Sequence, residues 1–419
     1  MQKRKGAATD GDEWDLEGQA DSPKAKGFRR RPWYVFWQLR PALFVGFWAL
    51  VFGAGELGAP RVAVHSCTWA HPDATEYRLA VVADPQLTDY YSYGMPRGSW
   101  TLALTEFYSD LYMRRNFQQI ARMRPAPDGV IVLGDIFDGG RVLDAHARTD
   151  HRRRFNWIFQ TPQPIQFWNM TGNHDVGIKQ WYSADAAAAF AAFFGASQYT
   201  AVLGHVEVVV VDTIALLSND DAVRAVALDF VRALGATAST AQPRLLFTHV
   251  PLFRPDHGAT CGPARQSRPI RQGEGVSYQN VVSQELTAFI LDMVRPVHIF
   301  SGDDHTHCTY THPQGITEDT LATFSWLQGE RHPEFAMLSL HGSSRSTTAA
   351  HITMCPLSDQ MGIYFQYAYF GAASVVYLVL SDTRPLQAQL GVASRVVACF
   401  LLLSAVVACY FVALGLSLV

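Results

Sequence analysis

The sequence predicts a layered α/β domain held between segments able to span a membrane. Two patterns predict it. Through the middle of the chain, short runs rich in Val and Ile alternate with stretches of helical period, the signature of helices packed on sheet faces. Long charge-poor apolar stretches lie towards the two ends, which is why 48% of the residues are hydrophobic. A chain of 419 residues can bury one large core or two smaller ones, and its net charge of -3 supplies no basic field for nucleic acid.

Residues 1–32 are polar, rich in Gly and charge and without period, as disordered tails are. Lys24, Lys26, Arg29, Arg30 and Arg31 then precede an aromatic cluster, Trp33, Tyr34, Phe36 and Trp37, and an apolar run from Pro41 to Ala59 interrupted only by Glu56. Segment 33–59 therefore reads as an anchor with the basic tail in the cytosol. It lies too far from Met1 for an ordinary cleaved signal. At the other end, residues 361–380 and 396–419 are apolar and uncharged, and 381–395 is a polar break carrying Asp382, Arg384 and Arg395. This pattern predicts a helical hairpin with a cytosolic loop. Both ends then place residues 60–360 on the lumenal side of a multi-pass protein.

Within 60–360 the expected strands are Leu79–Ala83, Gly129–Leu133, Ile165–Met170, Val206–Val211, Arg244–Phe247 and Val297–Phe300. Helices are expected where apolar residues recur at i, i+3, i+4 and i+7: Leu104 to Leu111, Val223 to Phe230 and Leu286 to Met293. Asp110 and Arg114 have the spacing of an ion pair on a solvated helix face. Cys67, Cys261, Cys308 and Cys355 share the lumenal segment, which permits disulfides in any of three pairings, or buried free thiols. Cys399 and Cys409 fall inside the last span, as small apolar residues. Asn169-Met170-Thr171 is a formal sequon, but it lies in an expected core strand and is expected to be unmodified.

The polar residues that follow these strands point to chemistry. Asp84 and Gln86 follow the first, Gly134-Asp135 and Asp138 the second, and Gly172-Asn173-His174-Asp175 the third; His249 and then Asp303, Asp304, His305 and His307 follow later ones. Strand C-termini in open α/β sheets line the ligand crevice, so these groups should converge. Any one alone could be a turn former. Together they form a mixed oxygen and nitrogen donor set suited to Mn, Fe or Zn. Two ions sharing a carboxylate would clamp an in-line phosphoryl displacement. Asp135 is the expected bridge, with Asp84 and His305 on one ion and Asn173, His249 and Asp303 on the other. His174 is left as the acid that protonates the leaving oxygen; its other reading is a structural histidine bonded to Asp175. Asp138 is expected to orient a ligand, and Arg141 to contact phosphate or solvent. Tyr90, Tyr91 and Tyr93 suit either sugar or lipid.

The ordered blocks Asp84-x-Gln86, Gly134-Asp135-x-x-Asp138, Gly172-Asn173-His174-Asp175, His249 and Gly302-Asp303-x-His305 resemble the signature of the calcineurin-like metallophosphoesterases. Ala83-Asp84-Pro85-Gln86-Leu87, Tyr112-Met113-Arg114-Arg115, His249-Val250-Pro251-Leu252 and Cys261-Gly262-Pro263 are similar to the membrane-anchored branch that remodels glycosylphosphatidylinositol (GPI) anchors. The likeness covers residues of about 78–310. It implies an αββα two-sheet sandwich, and a hydrolase that removes ethanolamine phosphate from an anchor mannose in the endoplasmic reticulum or Golgi membrane. It further implies two divalent ions, manganese ahead of zinc or iron, and a GPI-glycan partner. Gln86 and Asp303 stand where the family pattern has His, which keeps open a cargo-binding scaffold on a decayed enzyme fold; the site motifs fit another lipid or glycan phosphate as substrate equally. His307 is the alternative ligand, and His341, His351 and Cys355 are expected to be structural.

Overall fold

The computed structural model describes residues 32–70, 75–237, 242–256, 261–262, 265, 269–341 and 350–380. The tail before residue 32, the 381–395 loop and the 396–419 span with Cys399 and Cys409 lie outside the described residues. Two compact units are distinguished, Met1–Trp48 with Ser394–Val419, and Ala49–Ala393; the second holds every feature discussed below except the start of the first helix.

In chain order the elements are α1 (Pro32–Phe52), a π-helical segment (Gly53–Gly58), α2 (Ala59–His65), β1 (Thr75–Val82), α3 (Trp100–Ala121), β2 (Gly129–Val132) and α4 (Ala145–Ile158). Then come β3 (Gln166–Asn169), α5 (Asn173–Val176), α6 (Ala184–Phe194), β4 (Tyr199–Leu203), β5 (Val206–Val210), α7 (Thr213–Leu216), α8 (Asp221–Ala236) and β6 (Arg244–Phe247). The chain continues through α9 (Gln284–Val294), β7 (His298–Ser301), β8 (Cys308–Thr311), β9 (Thr317–Thr320), β10 (Glu334–His341), β11 (Ala350–Pro356) and α10 (Gln360–Leu380).

The strands form two sheets, ordered β11-β10-β1-β2-β3 and β4-β5-β6-β7-β9-β8. β1, β2 and β3 run parallel, as do β5, β6, β7 and β9; antiparallel strands close the edges. Strand period decides the layers. Leu79, Val81, Ile131 and Leu133 of the first sheet meet Val208, Val210, Leu245, Phe247 and Phe300 of the second in one core. The alternate residues Ala80, Val82, Val130 and Val132 point the other way, into a cluster with Tyr112, Met113 and Phe117 of α3. On the second sheet, Val209, Leu246 and Ile299 turn outward with Ala227, Val231 and Ile290 of α8 and α9. The result is an αββα sandwich, with strands apolar on both faces because both faces are covered.

All six expected strands and the three expected helices are present, with ends shifted by a few residues. One expectation about helix surface fails. Asp110 and Arg114 do not pair on a solvated face: both are buried, Asp110 takes a bidentate bond from Arg154 at 2.7 and 2.8 Å, and Arg114 lies over the Trp157 ring at 4.4 Å. The cause is α4, which crosses that face and brings cationic and aromatic partners from far along the chain. Two disulfides form, Cys67–Cys355 and Cys261–Cys308. Asn169 is buried.

Among the described residues, one helix, Ala42–His65, is long and apolar enough to cross a membrane by length and composition. Its lone acidic interruption is accounted for. Glu56 is buried in the π-helical segment, where it pairs with Arg115 of α3 and accepts a 2.9 Å bond from the Tyr367 hydroxyl of α10. Arg115 also donates to Gln360 at 2.9 Å.

Candidate metal centre

The loops that leave the C-terminal ends of β1, β2, β3, β6 and β7 meet over the sandwich edge. Their backbones are unusual. Asp84, Gln86, Asp135, Asp303 and His305 all have positive φ, between 39° and 68°, a region that non-glycine residues rarely adopt. Tight neighbours hold them there. Gln86 N bonds Asp135 O at 2.8 Å, Asp303 N bonds the Asp84 carboxylate at 3.1 and 3.2 Å, and Thr323 N bonds His305 O at 3.0 Å. Gly134, itself at φ 86°, and Gly172 let two of the loops touch: a Cβ on Gly172 would lie 2.0 Å from Asp135 Oδ1.

Two groups of donors result. Asp84, Asp135 and His305 offer ligand atoms within 4.8 Å of one another, and so do Asp135, His249 and Asp303. Asp135 belongs to both. Asn173 adjoins the second group, its Oδ1 3.0 Å from His249 Nε2. The structure thus brings together Asp84, Asp135, Asn173, His249, Asp303 and His305. His307 is not among them, because its ring nitrogens are engaged by Glu334 at 2.9 Å and Thr309 at 3.1 Å.

Surrounding bonds orient the donors. His249 Nδ1 lies 2.7 Å from the Leu133 carbonyl, so it carries the proton and leaves Nε2 facing Asp135 and Asp303 at 3.4 and 3.5 Å. The Asn173 amide nitrogen donates to Ser277 O at 2.9 Å, which turns its oxygen inward. Gln86 donates to Asp135 Oδ2 at 2.9 Å. Asp175, whose role the sequence reading missed, accepts from the backbone nitrogens of Ile136, Phe137 and Gly172 at 3.2, 2.9 and 2.9 Å and so clamps the second and third loops together. An acid three residues after a Gly that opens a short helix is the signal that could have revealed it.

The electrostatics suit cations. Burial, reinforced by Asp135 and Asp303, pushes Asp84 well above the usual carboxylate range. Burial opposes charge on His249, yet Asp135, Asp303 and Asp84 hold it well above an ordinary histidine. Among the described residues, the ion pairs that reach these three carboxylates all come from His249. Gln86 Oε1 is also buried without a hydrogen-bond partner. Clustered buried carboxylates need positive charge among them. Three carboxylates, two imidazoles and an amide oxygen are a fitting donor set for divalent ions of intermediate hardness.

His174 stands beside the cluster. Its backbone nitrogen bonds Asp135 Oδ1 at 2.8 Å, and its Nδ1 lies 2.8 Å from the Asp138 carboxylate. The side chain is 27% exposed, and Nδ1 is the ring nitrogen that Asp138 engages. Its partner is Asp138 and not Asp175. Burial works against its charge, but Asp135 and the bond to Asp138 raise its pKa to about 9. Arg141 spans the rim, with Nη1 3.1 Å from Asp138 O and the guanidinium 5.5 Å from the Tyr91 ring.

No family model matches the chain. Cell division control protein 1 of Saccharomyces cerevisiae is 31% identical over 375 residues, covering 82% of this chain and 75% of that protein. Metallophosphoesterase 1 of Cricetulus griseus is 26% identical over 343 residues, covering 76% of this chain and 83% of that one. The chain belongs to the calcineurin-like metallophosphoesterases. It is a hydrolase of phosphoric ester bonds. Among solved structures, a dimetal phosphatase from Danio rerio aligns with this metallophosphoesterase at a TM-score of 0.43 and 14% identity, over 68% of this chain and 97% of that one.

Proposed function

We propose that this metallophosphoesterase is a membrane-anchored phosphodiesterase that removes ethanolamine phosphate from a mannose of GPI anchors on the lumenal side of the endoplasmic reticulum or Golgi membrane. The observation that carries the chemistry is Asp135, shared by two donor groups that each close within 4.8 Å. Asp84, Asp135 and His305 would hold one ion, and Asp135, Asn173, His249 and Asp303 the other, with manganese favoured by the carboxylate at position 303. Two such ions would supply an activated water and neutralise charge on the phosphoryl oxygens. The chain does the rest. Leu133 and Ser277 fix the donor faces of His249 and Asn173. Asp138 holds His174 by Nδ1, which leaves Nε2 to give its proton to the leaving oxygen. Arg141 and Tyr91 shape the rim where the substrate enters.

The substrate class is supported by the sequence blocks shared with the anchor-remodelling branch, and by the spanning helix that would put the domain beside lipid-linked glycans. The multi-pass arrangement, with residues 33–59, 361–380 and 396–419 in the bilayer, is part of the same proposal. The test has two arms. Purified full-length protein, stripped with a chelator, should lose hydrolysis of bis(p-nitrophenyl) phosphate and regain it with manganese. Cells lacking the protein should accumulate GPI glycans heavier by one ethanolamine phosphate, read by mass spectrometry. Unchanged glycans with an active enzyme would move the substrate to another lipid or glycan phosphate. An enzyme inert with every divalent ion would leave the scaffold.

A further inference from the structure

α3 does not behave like a helix that only covers a sheet. From Ser109 onward most of its residues are buried, but its first turns carry an apolar stripe turned outward. Trp100 is 73% exposed, Leu104 45%, Phe107 41% and Tyr108 37%. The spacing i, i+4, i+7, i+8 puts these four on one face. Leu104, Phe107 and Tyr108 belong to the periodic pattern that predicts this helix, yet of that pattern only Leu111 is buried. The stripe carries no free charge: the acid among these turns, Glu106, faces Arg154 at 3.3 Å.

The direction of α3 gives this face its partner. Arg115 bonds Gln360, the first residue of α10, and seven positions nearer the N-terminus of α3 the Tyr108 ring meets Tyr364 of α10 edge-on at 6.3 Å. Moving from Arg115 back to Trp100 therefore follows the course α10 takes from Gln360 towards Leu380. α10 is 21 residues without a charge, and Phe365 and Tyr369 on it are 67% and 71% exposed. Exposed aromatic and aliphatic residues that continue from such a helix form the belt found where a protein meets the lipid headgroups. Tyr93 extends the belt, its hydroxyl donating to Leu327 O at 3.0 Å beside Trp326, whose ring meets Tyr364 at 5.7 Å. The loop that joins this belt to the metal cluster is the one that begins at Asp84.

We propose that the first turns of α3 rest in the lipid surface, with Trp100, Leu104 and Phe107 at the boundary of headgroups and acyl chains. This second contact fixes the tilt of the catalytic domain and holds the rim at Tyr91 and Arg141 level with phosphodiesters just above the bilayer. It rests on the anchored reading and not on the identity of the substrate.

The test is photocrosslinking of the full chain in phosphatidylcholine liposomes containing an alkyne-tagged phosphatidylcholine. p-Benzoylphenylalanine is placed at Leu104, at Phe107, at Phe365 on α10, and at Asp229 on α8 in the opposite helix layer. Each variant is required to keep hydrolysis of a soluble phosphodiester, which shows that it has folded. Tagged lipid on positions 104 and 107 comparable with that on 365, and none above background on 229, is the expected result. Lipid on 365 but none on 104 and 107 overturns the proposal. Capture of protein instead of lipid at 104 and 107 also overturns it and makes the stripe a protein-docking face. Absence of lipid at 365 fails the anchored reading, and the proposal with it.

Discussion

At the residue scale, the centre is built on backbone conformations that carry a cost. Five positive-φ residues among the ligand loops represent roughly 1–3 kcal/mol each, offset by the bonds that over-determine them. Gly172 is the point of least tolerance. A methyl group there would fall 2.0 Å from Asp135 Oδ1 and 2.4 Å from its nitrogen, so Gly172→Ala must displace the shared carboxylate. Since a misplacement of 1 Å or so can cost about 100-fold in rate, we expect at least that loss in kcat/KM, with a circular dichroism spectrum unchanged. His174→Asn should slow esters with poor leaving groups by about 100-fold or more while sparing p-nitrophenolate, which needs no proton; an equal loss on both would remove His174 from the role of acid. Much of the donor set was legible in the sequence, because Asp84, Asp135, Asn173, His249, Asp303 and His305 each follow an apolar run. Their orienting partners were not. Ser277 O and Leu133 O are main-chain atoms, and Asp175 acts through three backbone nitrogens, so side-chain identity does not announce them.

At the element scale, charge buried between elements fixes the loops. Arg154 of α4 reaches Asp110 of α3 and the Thr88 carbonyl at 2.7 Å, and thereby ties two helices to the loop that follows Asp84 and Gln86. Glu318 of β9 does the same for the loop after β6. It is fully buried, pairs with Arg254 at 2.9 Å, and accepts from Leu252 N at 3.1 Å, Ser301 Oγ at 2.7 Å and His312 Nε2 at 2.8 Å. Glu318→Gln should destabilise the domain by ~3 kcal/mol at neutral pH, since it leaves a buried guanidinium without its counter-charge. Burial alone would raise the Glu318 pKa, but Arg254 and His312 bring it below the ordinary 4.5. A depressed folded pKa gives stability that is fully present above the unfolded value and is lost as pH falls through the folded one. The gap in thermal midpoint between wild type and variant should therefore narrow below about pH 4.5, and a gap constant to lower pH would contradict the linkage. Parallel central strands were readable because they are Val-rich and buried on both faces. β10 and β11 were missed: Glu334–His341 is almost wholly buried but mixes Glu, Ser and His with its apolar residues, and so breaks the run that marks a core strand. That the stripe on α3 faces outward was not legible for a related reason, since helical period shows that a face is apolar and not what covers it.

At the scale of the whole molecule, the sandwich and the helices at its two chain ends share a polar joint. Glu56, Arg115, Tyr367 and Gln360 link the π-helical segment, α3 and α10. The block Tyr112-Met113-Arg114-Arg115 gains its meaning here, since Tyr112 also bonds Ser358 O at 2.9 Å just ahead of α10. Protease added to sealed vesicles should remove the N-terminal tail and cut within 381–395 while leaving 60–360 intact; digestion of the central segment would reverse the orientation.

The bond between Cys67 and Cys355 has a mechanical meaning. It joins the chain two residues after α2 to the penultimate residue of β11, five residues before α10 starts. Every strand of both sheets up to that point hangs inside the closed loop. If α2 and α10 both enter a bilayer, as proposed above, tension arriving along either passes across one sulfur bridge to the chain beside the other. Of the two sheets only the end of β11 lies on that path, and the ligand loops, which leave β1, β2, β3, β6 and β7, lie off it and keep their spacing.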